Sequence, residues 1–154
     1  MAGNPFYKDH WINIDRDRLD RYERMFLWSP ASAALYEPAD IRPGHIVADF
    51  GSGPGHTAIE IAKWVGRNGH VHALDINAEF VAQARKNANA ASIGDRVTAH
   101  QCDGSILPLP DLSLDRLTTR TTSSMWMIPN ARFASSTASF ELVGKCMPSK
   151  VIGQ

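Results

Sequence analysis

The stretch V-A-D-F-G-S-G-P-G-H, residues 47 to 56, constrains this chain more than any other. Four residues that read as the end of a β-strand run into three glycines at alternate positions. Glycine reaches backbone conformations barred to residues with a Cβ and leaves no side chain between the turn and a neighbour. The expectation is that Gly51, Gly53 and Gly55 allow close approach to a ligand, with Asp49 inside the strand end.

The surroundings of this turn fix its class. His45 to Phe50 reads as a strand, Thr57 to Val65 as a helix carrying Ile59, Ile61, Ala62 and Val65, and Val71 to Leu74 as a second strand. Asn77 caps a helix with Phe80, Val81, Ala84, Ala88 and Ala91, closed by Gly94. Arg96 to Cys102 and Leu114 to Thr119 give strands three and four. Strand and helix in alternation predict a Rossmann-like α/β doubly wound parallel sheet, here its N-terminal half of about four strands. The 154 residues, 44% of them apolar, suffice for one domain.

Ahead of the sheet, residues 1–43 read as a helical segment. Residues 15 to 26 place Leu19, Tyr22 and Met25 or Phe26 at helical spacing, with Asp17/Arg21 and Asp20/Arg24 as i,i+4 pairs. Such a helix either closes over a ligand or packs on the domain edge. Ser29-Pro30 starts a second short helix that runs through Leu35 to Pro38.

In a sheet of this kind ligands bind beyond the carboxyl ends of the strands, where strand order reverses, and the glycine turn lies there. Asp75 ends the second strand, where a carboxylate can accept from both hydroxyls of a ribose. Turn and acid together specify a nucleoside-containing cofactor. A dinucleotide site prefers G-x-G-x-x-G, but here the third glycine comes one place early and His56 takes the expected position.

The stretch resembles motif I of class I S-adenosylmethionine-dependent methyltransferases, (D/E)-x-G-x-G-x-G, matched by Asp49, Gly51, Gly53 and Gly55. The resemblance continues in Leu74-Asp75-Ile76 and in Cys102-Asp103-Gly104 followed by LPLPDLSLDRL, similar to a segment of the small-molecule enzymes that act on quinones and sterols. It implies S-adenosylmethionine as cofactor and the site residues Asp49, Phe50, Gly51, Ser52, Gly53, Gly55, Asp75, Ile76, Asp103 and Gly104. Asp49 would orient the turn or the methionine amino group, and Gly51 and Gly53 would line the methionine portion. Asp75 would hold the ribose, Ile76 would pack on adenine, and Asp103 would accept the adenine amino hydrogen. Removing Asp75 is accordingly expected to weaken donor binding and leave the unliganded fold unchanged. No catalytic residue is implied, because displacement at a sulfonium carbon needs mainly alignment.

The likeness covers residues 44–133 and then stops. The tail, 134–154, shows neither the helix nor the fifth strand that the family would place there. Read one base out of frame, SFELVGKCMPSKVIG can encode L-R-A-G-G-K-V-H-A-I-E-G-D-W, so the tail is expected to be frameshifted and disordered, with the acceptor half missing and turnover negligible. The fourth strand would then keep a free edge, a route to self-association.

Other features narrow the partners. Sixteen basic residues balance sixteen acidic ones, which gives no electrostatic case for nucleic acid or a membrane surface. No apolar run approaches the ~20 residues of a membrane span, and a cytoplasmic location is expected. His70 and His72 share a strand face with no third ligand in sight, so no metal site is expected, and Cys102 reads as a buried thiol. Trp28, Trp64 and Trp126 read as packing residues. The leading function is methyl transfer to a small molecule of unidentified kind. A non-catalytic nucleotide- or partner-binding module and a piece of an NAD-dependent enzyme are the alternatives.

Overall fold

The computed structural model describes residues 10–102 and 107–120, and the backbone of 139–142. Its centre is one parallel sheet in the order β3-β2-β1-β4-β5, formed by β1 (Ile46–Phe50), β2 (His70–Asp75), β3 (Val97–Gln101), β4 (Arg116–Thr119) and β5 (Ser139–Leu142). All four strand pairs are parallel, with Asp49 opposite Ala73 on one side and Thr118 on the other. Strand order therefore reverses at β1, beside the glycine turn. This is the Rossmann-like parallel sheet expected from the alternation of elements.

Period-2 alternation divides the strands between two faces. Val47, Val71, Ala73, Val97 and Ala99 face α2 (His56–Val65) and α3 (Ala78–Ala90), and pack on Ala58, Ile61, Val65, Val81, Ala84 and Ala88. Each fully buried valine or isoleucine there contributes roughly 1.5–3 kcal/mol. Ala48, Leu74, Cys102, Leu114 and Leu117 form a second cluster on the opposite face, with Ile46, Phe50, Leu107 and Leu109 against it. Cys102 is buried, in line with its reading as a packing thiol.

Asn77 caps α3 by accepting from the N–H groups of Glu79 and Phe80, satisfying two donors of the first turn. That helix ends at Ala90, before the Gly94 expected to close it.

The N-terminal segment is part of the same body. Helix α1 (Arg16–Met25) starts at Asp15, whose carboxylate accepts from the Arg18 N–H, and contains no buried residue of its own. A 3-10 helix (Pro30–Ala39) follows and carries Tyr36 and Ala39 into the core. Trp28, Tyr36 and Trp64 form a ring cluster with centroids 5.6 to 6.2 Å apart, so Trp28 and Trp64 are packing residues.

The tail departs from expectation. Ser139–Leu142 pairs in parallel with the whole of β4, from Arg116↔Ser139 to Thr119↔Leu142. A fifth strand of four residues is too short to show a period in sequence. It also occupies the edge of β4 expected to be free. The rest of the tail lies outside the described residues, as does Trp126. No helix among the described residues is long and apolar enough to cross a membrane.

Candidate functional site

The glycine turn folds back onto the end of β2. The N–H groups of Gly51 and Ser52 both donate to the Leu74 carbonyl, at 2.8 and 3.0 Å. Gly51, Gly53 and Gly55 all have positive φ, as their spacing predicts. At Gly55 the space a side chain would take is filled by the protein itself. A Cβ on Gly55 would stand 2.8 Å from Ala84 Cβ, so this glycine allows α3 to press against the turn. A Cβ on Gly53 would touch the Phe26 ring at 3.6 Å. Close approach at Gly55 serves protein packing, and Phe26 from the end of α1 lies beside Gly53 with room for ordinary contact.

Asp75 is committed to the same turn. Its Oδ2 accepts from the Gly53 N–H at 2.8 Å and its Oδ1 from the Asn77 N–H at 2.9 Å. The group is 8% exposed; burial raises its pKa, and the N–H donors of Asn77, Gly53 and Ile76 act in the opposite direction. The expectation that the unliganded fold would not notice its removal is therefore corrected: Asp75 ties the turn to the start of α3.

Asp49 is placed differently. It is 2% exposed, at the end of β1. Its Oδ1 accepts from the Thr118 hydroxyl at 3.1 Å, and its Oδ2 has no partner. Burial pushes its pKa up to about 7, with the nearby Asp75 charge acting the same way and Thr118 and Arg120 opposing. Tyr36, 2% exposed, has its phenol pushed up to about 12 by burial and then by the Asp49 charge, while Thr57 and Arg120 lie near enough to favour ionisation.

Among the described residues, the buried side-chain atoms without a hydrogen-bond partner are Asp49 Oδ2, Ser52 Oγ, His56 Nε2, Tyr36 Oη and Arg120 Nη1. Asp49, Ser52 and His56 belong to the turn stretch; Tyr36 and Arg120 are coupled electrostatically to Asp49. Buried polar groups in folded proteins are nearly always paired, so the unpaired atoms of Asp49, Tyr36 and Arg120 leave hydrogen-bonding capacity for a polar guest. The donor set, one buried carboxylate with hydroxyl, phenol and guanidinium groups, suits a cofactor carrying an amino acid and a ribose.

The remaining expected residues divide. Phe50 and Ile76 are half-buried at the ends of β1 and β2, with the Ile76 carbonyl accepting from Gln101. Asp103 and Gly104 lie outside the described residues. Sequence reasoning missed Tyr36, Thr118 and Arg120. Nothing in their spacing marks them; Thr118 comes beside Asp49, on the same sheet face, through the register of β1 and β4. It also missed the third histidine: His72 Nδ1 lies 3.1 Å from His100 Nε2, and the His70 ring is 4.9 Å from that of His72. Even so, no group of three His, Cys, Asp or Glu among the described residues could hold a metal ion.

Fold and site define an α/β cofactor-binding domain with its crevice at the β1 switch point. A family model described as a methyltransferase domain matches residues 47–140, and the chain belongs to that family. S-adenosylmethionine is the methyl donor that goes with this family and fold. The ubiquinone/menaquinone biosynthesis C-methyltransferase UbiE of Cellvibrio japonicus is 34% identical over 82 residues, which are 53% of this chain and 33% of that protein. The chain thus spans about a third of the length of such curated relatives. A SAM-dependent methyltransferase from Aquifex aeolicus superposes with a TM-score of 0.59 at 22% identity, over 70% of this chain and 57% of the other. Geranyl diphosphate C-methyltransferase from Streptomyces coelicolor, solved with S-adenosyl-L-homocysteine, gives 0.56 at 15% identity, over 60% and 35%. Both show a shared fold.

Proposed function

We propose that this chain binds S-adenosylmethionine in the crevice beyond β1, β2 and β4 and serves methyl transfer to a small molecule. The observation that carries this is the buried, half-partnered carboxylate of Asp49 beside the glycine turn. Asp49 Oδ2 is the acceptor for the donor's ammonium group. Gly51, Ser52, Gly53 and Gly55 shape the floor, with Phe50 at the end of the strand. A carboxylate offers about four lone-pair positions, so Asp75 retains acceptor capacity for ribose hydroxyls after serving Gly53 and Asn77. Ile76 offers an apolar surface to the adenine; for Asp103 and Gly104 the assignment to the adenine rests on the motif resemblance alone.

When bound, the cofactor supplies a methyl group on an electrophilic sulfonium. The chain's own residues fix the donor's orientation and exclude water from it, which is most of what a direct displacement requires. The likeness to a quinone C-methyltransferase supports a small organic acceptor.

Calorimetric titration with S-adenosylhomocysteine, S-adenosylmethionine and NAD tests the reading. Saturable binding of the two sulfur nucleosides, with none of NAD, is expected; saturable binding of NAD alone would overturn it.

A further inference from the structure

On the sheet face away from α2 and α3, imidazoles gather at the β2–β3 end. Val71, Ala73, Val97 and Ala99 face the helices. Alternation sends His70, His72, Thr98 and His100 the other way. The three histidines there are half-buried and Thr98 is exposed, so solvent and its ions reach them.

The register of β2 and β3 sets His72 opposite Thr98 and His100 opposite Leu74, which makes His72 and His100 diagonal neighbours. Their rings meet, with His72 Nδ1 3.1 Å from His100 Nε2. His70 is engaged with a different group, its Nε2 lying 2.8 Å from the Thr98 hydroxyl. A neutral imidazole carries one N–H and one lone pair. A single proton between the facing nitrogens joins them, and an ion that accepts both lone pairs can take its place. Metal–imidazole bonds of about 2.0–2.1 Å hold two adjacent nitrogens about 2.9 Å apart at a right angle and about 3.4 Å apart at the tetrahedral angle. The observed separation falls between these two values. Imidazole suits zinc, copper and nickel rather than magnesium or calcium.

We infer that His72 Nδ1 and His100 Nε2 form a two-histidine site for a divalent transition-metal ion, with water filling its remaining positions. No third protein ligand is assembled among the described residues, which fits a weak, water-completed site. On binding, the hydrated ion gives up two waters for two nitrogen lone pairs; His72 keeps its hydrogen on Nε2 and His100 on Nδ1, so a neutral pair loses no proton. The ion joins β3, at the end of the strand order, to β2 beside the main-chain ladder, and binding to the folded state stabilises it. The site lies on a sheet face and does not rest on the proposed donor crevice.

Calorimetric titration of the chelator-stripped full chain with Zn2+ at pH 7.5 tests the pair. Saturable uptake of zinc is expected, with none of Mg2+, and zinc should raise the melting temperature. His72→Gln and His100→Gln should each weaken zinc about tenfold or more and abolish that rise, while His70→Gln and His45→Gln stay within about twofold. Zinc binding untouched by both pair variants would place the ion elsewhere and overturn the site, as would the absence of saturation by about 1 mM zinc. Equal weakening by His70→Gln would overturn the pair in favour of a triad. Copper(II) on the unaltered chain gives a reading that needs no variant to fold: electron paramagnetic resonance should show coupling to two imidazole nitrogens, and coupling to none or one would overturn the assignment.

Discussion

Two carboxylates stand at neighbouring strand ends on either side of one glycine turn, and the chain treats them in opposite ways. Asp75 accepts two backbone N–H groups and holds the turn to α3. Asp49 receives one hydroxyl, leaves an oxygen unpartnered, and is held near neutrality by burial. On the Asp75 side the protein completes itself: Ala84 meets Gly55, and Asn87 donates to the Pro54 carbonyl. On the Asp49 side, one buried carboxylate oxygen stays without a partner. Rigidity and receptivity are thus separated by the width of one strand, and the same residue type serves both because its partners differ.

The most forceful way to break this comparison is Asp75→Ala. It strands two buried N–H groups, each worth roughly 1–3 kcal/mol when left unsatisfied, so urea unfolding at pH 7.5 should show a loss of about 2–4 kcal/mol. An unchanged midpoint would mean that the turn holds itself. Next comes Gly55→Ala, whose Cβ would press on Ala84 in a left-handed conformation; a loss of about 1–3 kcal/mol is expected. The double change with Ala84→Gly should recover part of it, and full additivity of the two losses would refute the contact.

Asp49→Asn should carry the opposite sign. The folded state holds the Asp49 proton more tightly than the unfolded chain does, so native stability falls as pH rises from about 4 to about 7 and stays low above that. The variant should lack this decline. At pH 8 it should be more stable by on the order of 1 kcal/mol, once the relief of a buried charge is set against an unpartnered amide. A variant less stable than the parent at pH 8 would show that Asp49 is structural after all.

The smallest effect belongs to the histidines on the other sheet face. Burial lowers the pKa of His72 to about 4, helped by the charges of His70 and His100, and lowers those two as well. A histidine with a depressed folded pKa makes the native state less stable as pH falls below 6.5. Asp95 beside His70 and Arg85 beside His100 are the other charges acting on the cluster. His72→Gln should flatten the acid side of the stability profile between pH 6.5 and 4, while Asp49→Asn steepens it by removing the opposing titration. Identical profiles for parent and His72→Gln would remove the cluster from the account.

What the sequence made legible follows from the range of each interaction. The first strand-turn-helix is local: alternation and three glycines act within a few residues, and β1 and α2 appear within one residue of their expected places. The purpose of Gly55 was not legible, because it depends on Ala84 in another helix. Tyr36 and Arg120 were invisible for the same reason, lying 84 positions apart in the numbering and joined only by the fold. His100 meets His72 through the register of β2 and β3, which alternation alone does not set. β5 failed for want of length.

One bond sets where this domain begins. Arg116, buried in β4, donates through Nε to the Ala39 carbonyl at 2.7 Å, and so fastens the 3-10 helix beneath the sheet. Anyone excising the domain at the first residue of its family match would cut between the two. The excised piece would keep the whole glycine signature, yet it would leave a guanidinium at the sheet without its acceptor and take the Tyr36 ring away from Trp64. The inherited signature starts at residue 47, but the smallest fragment worth expressing starts ahead of Trp28.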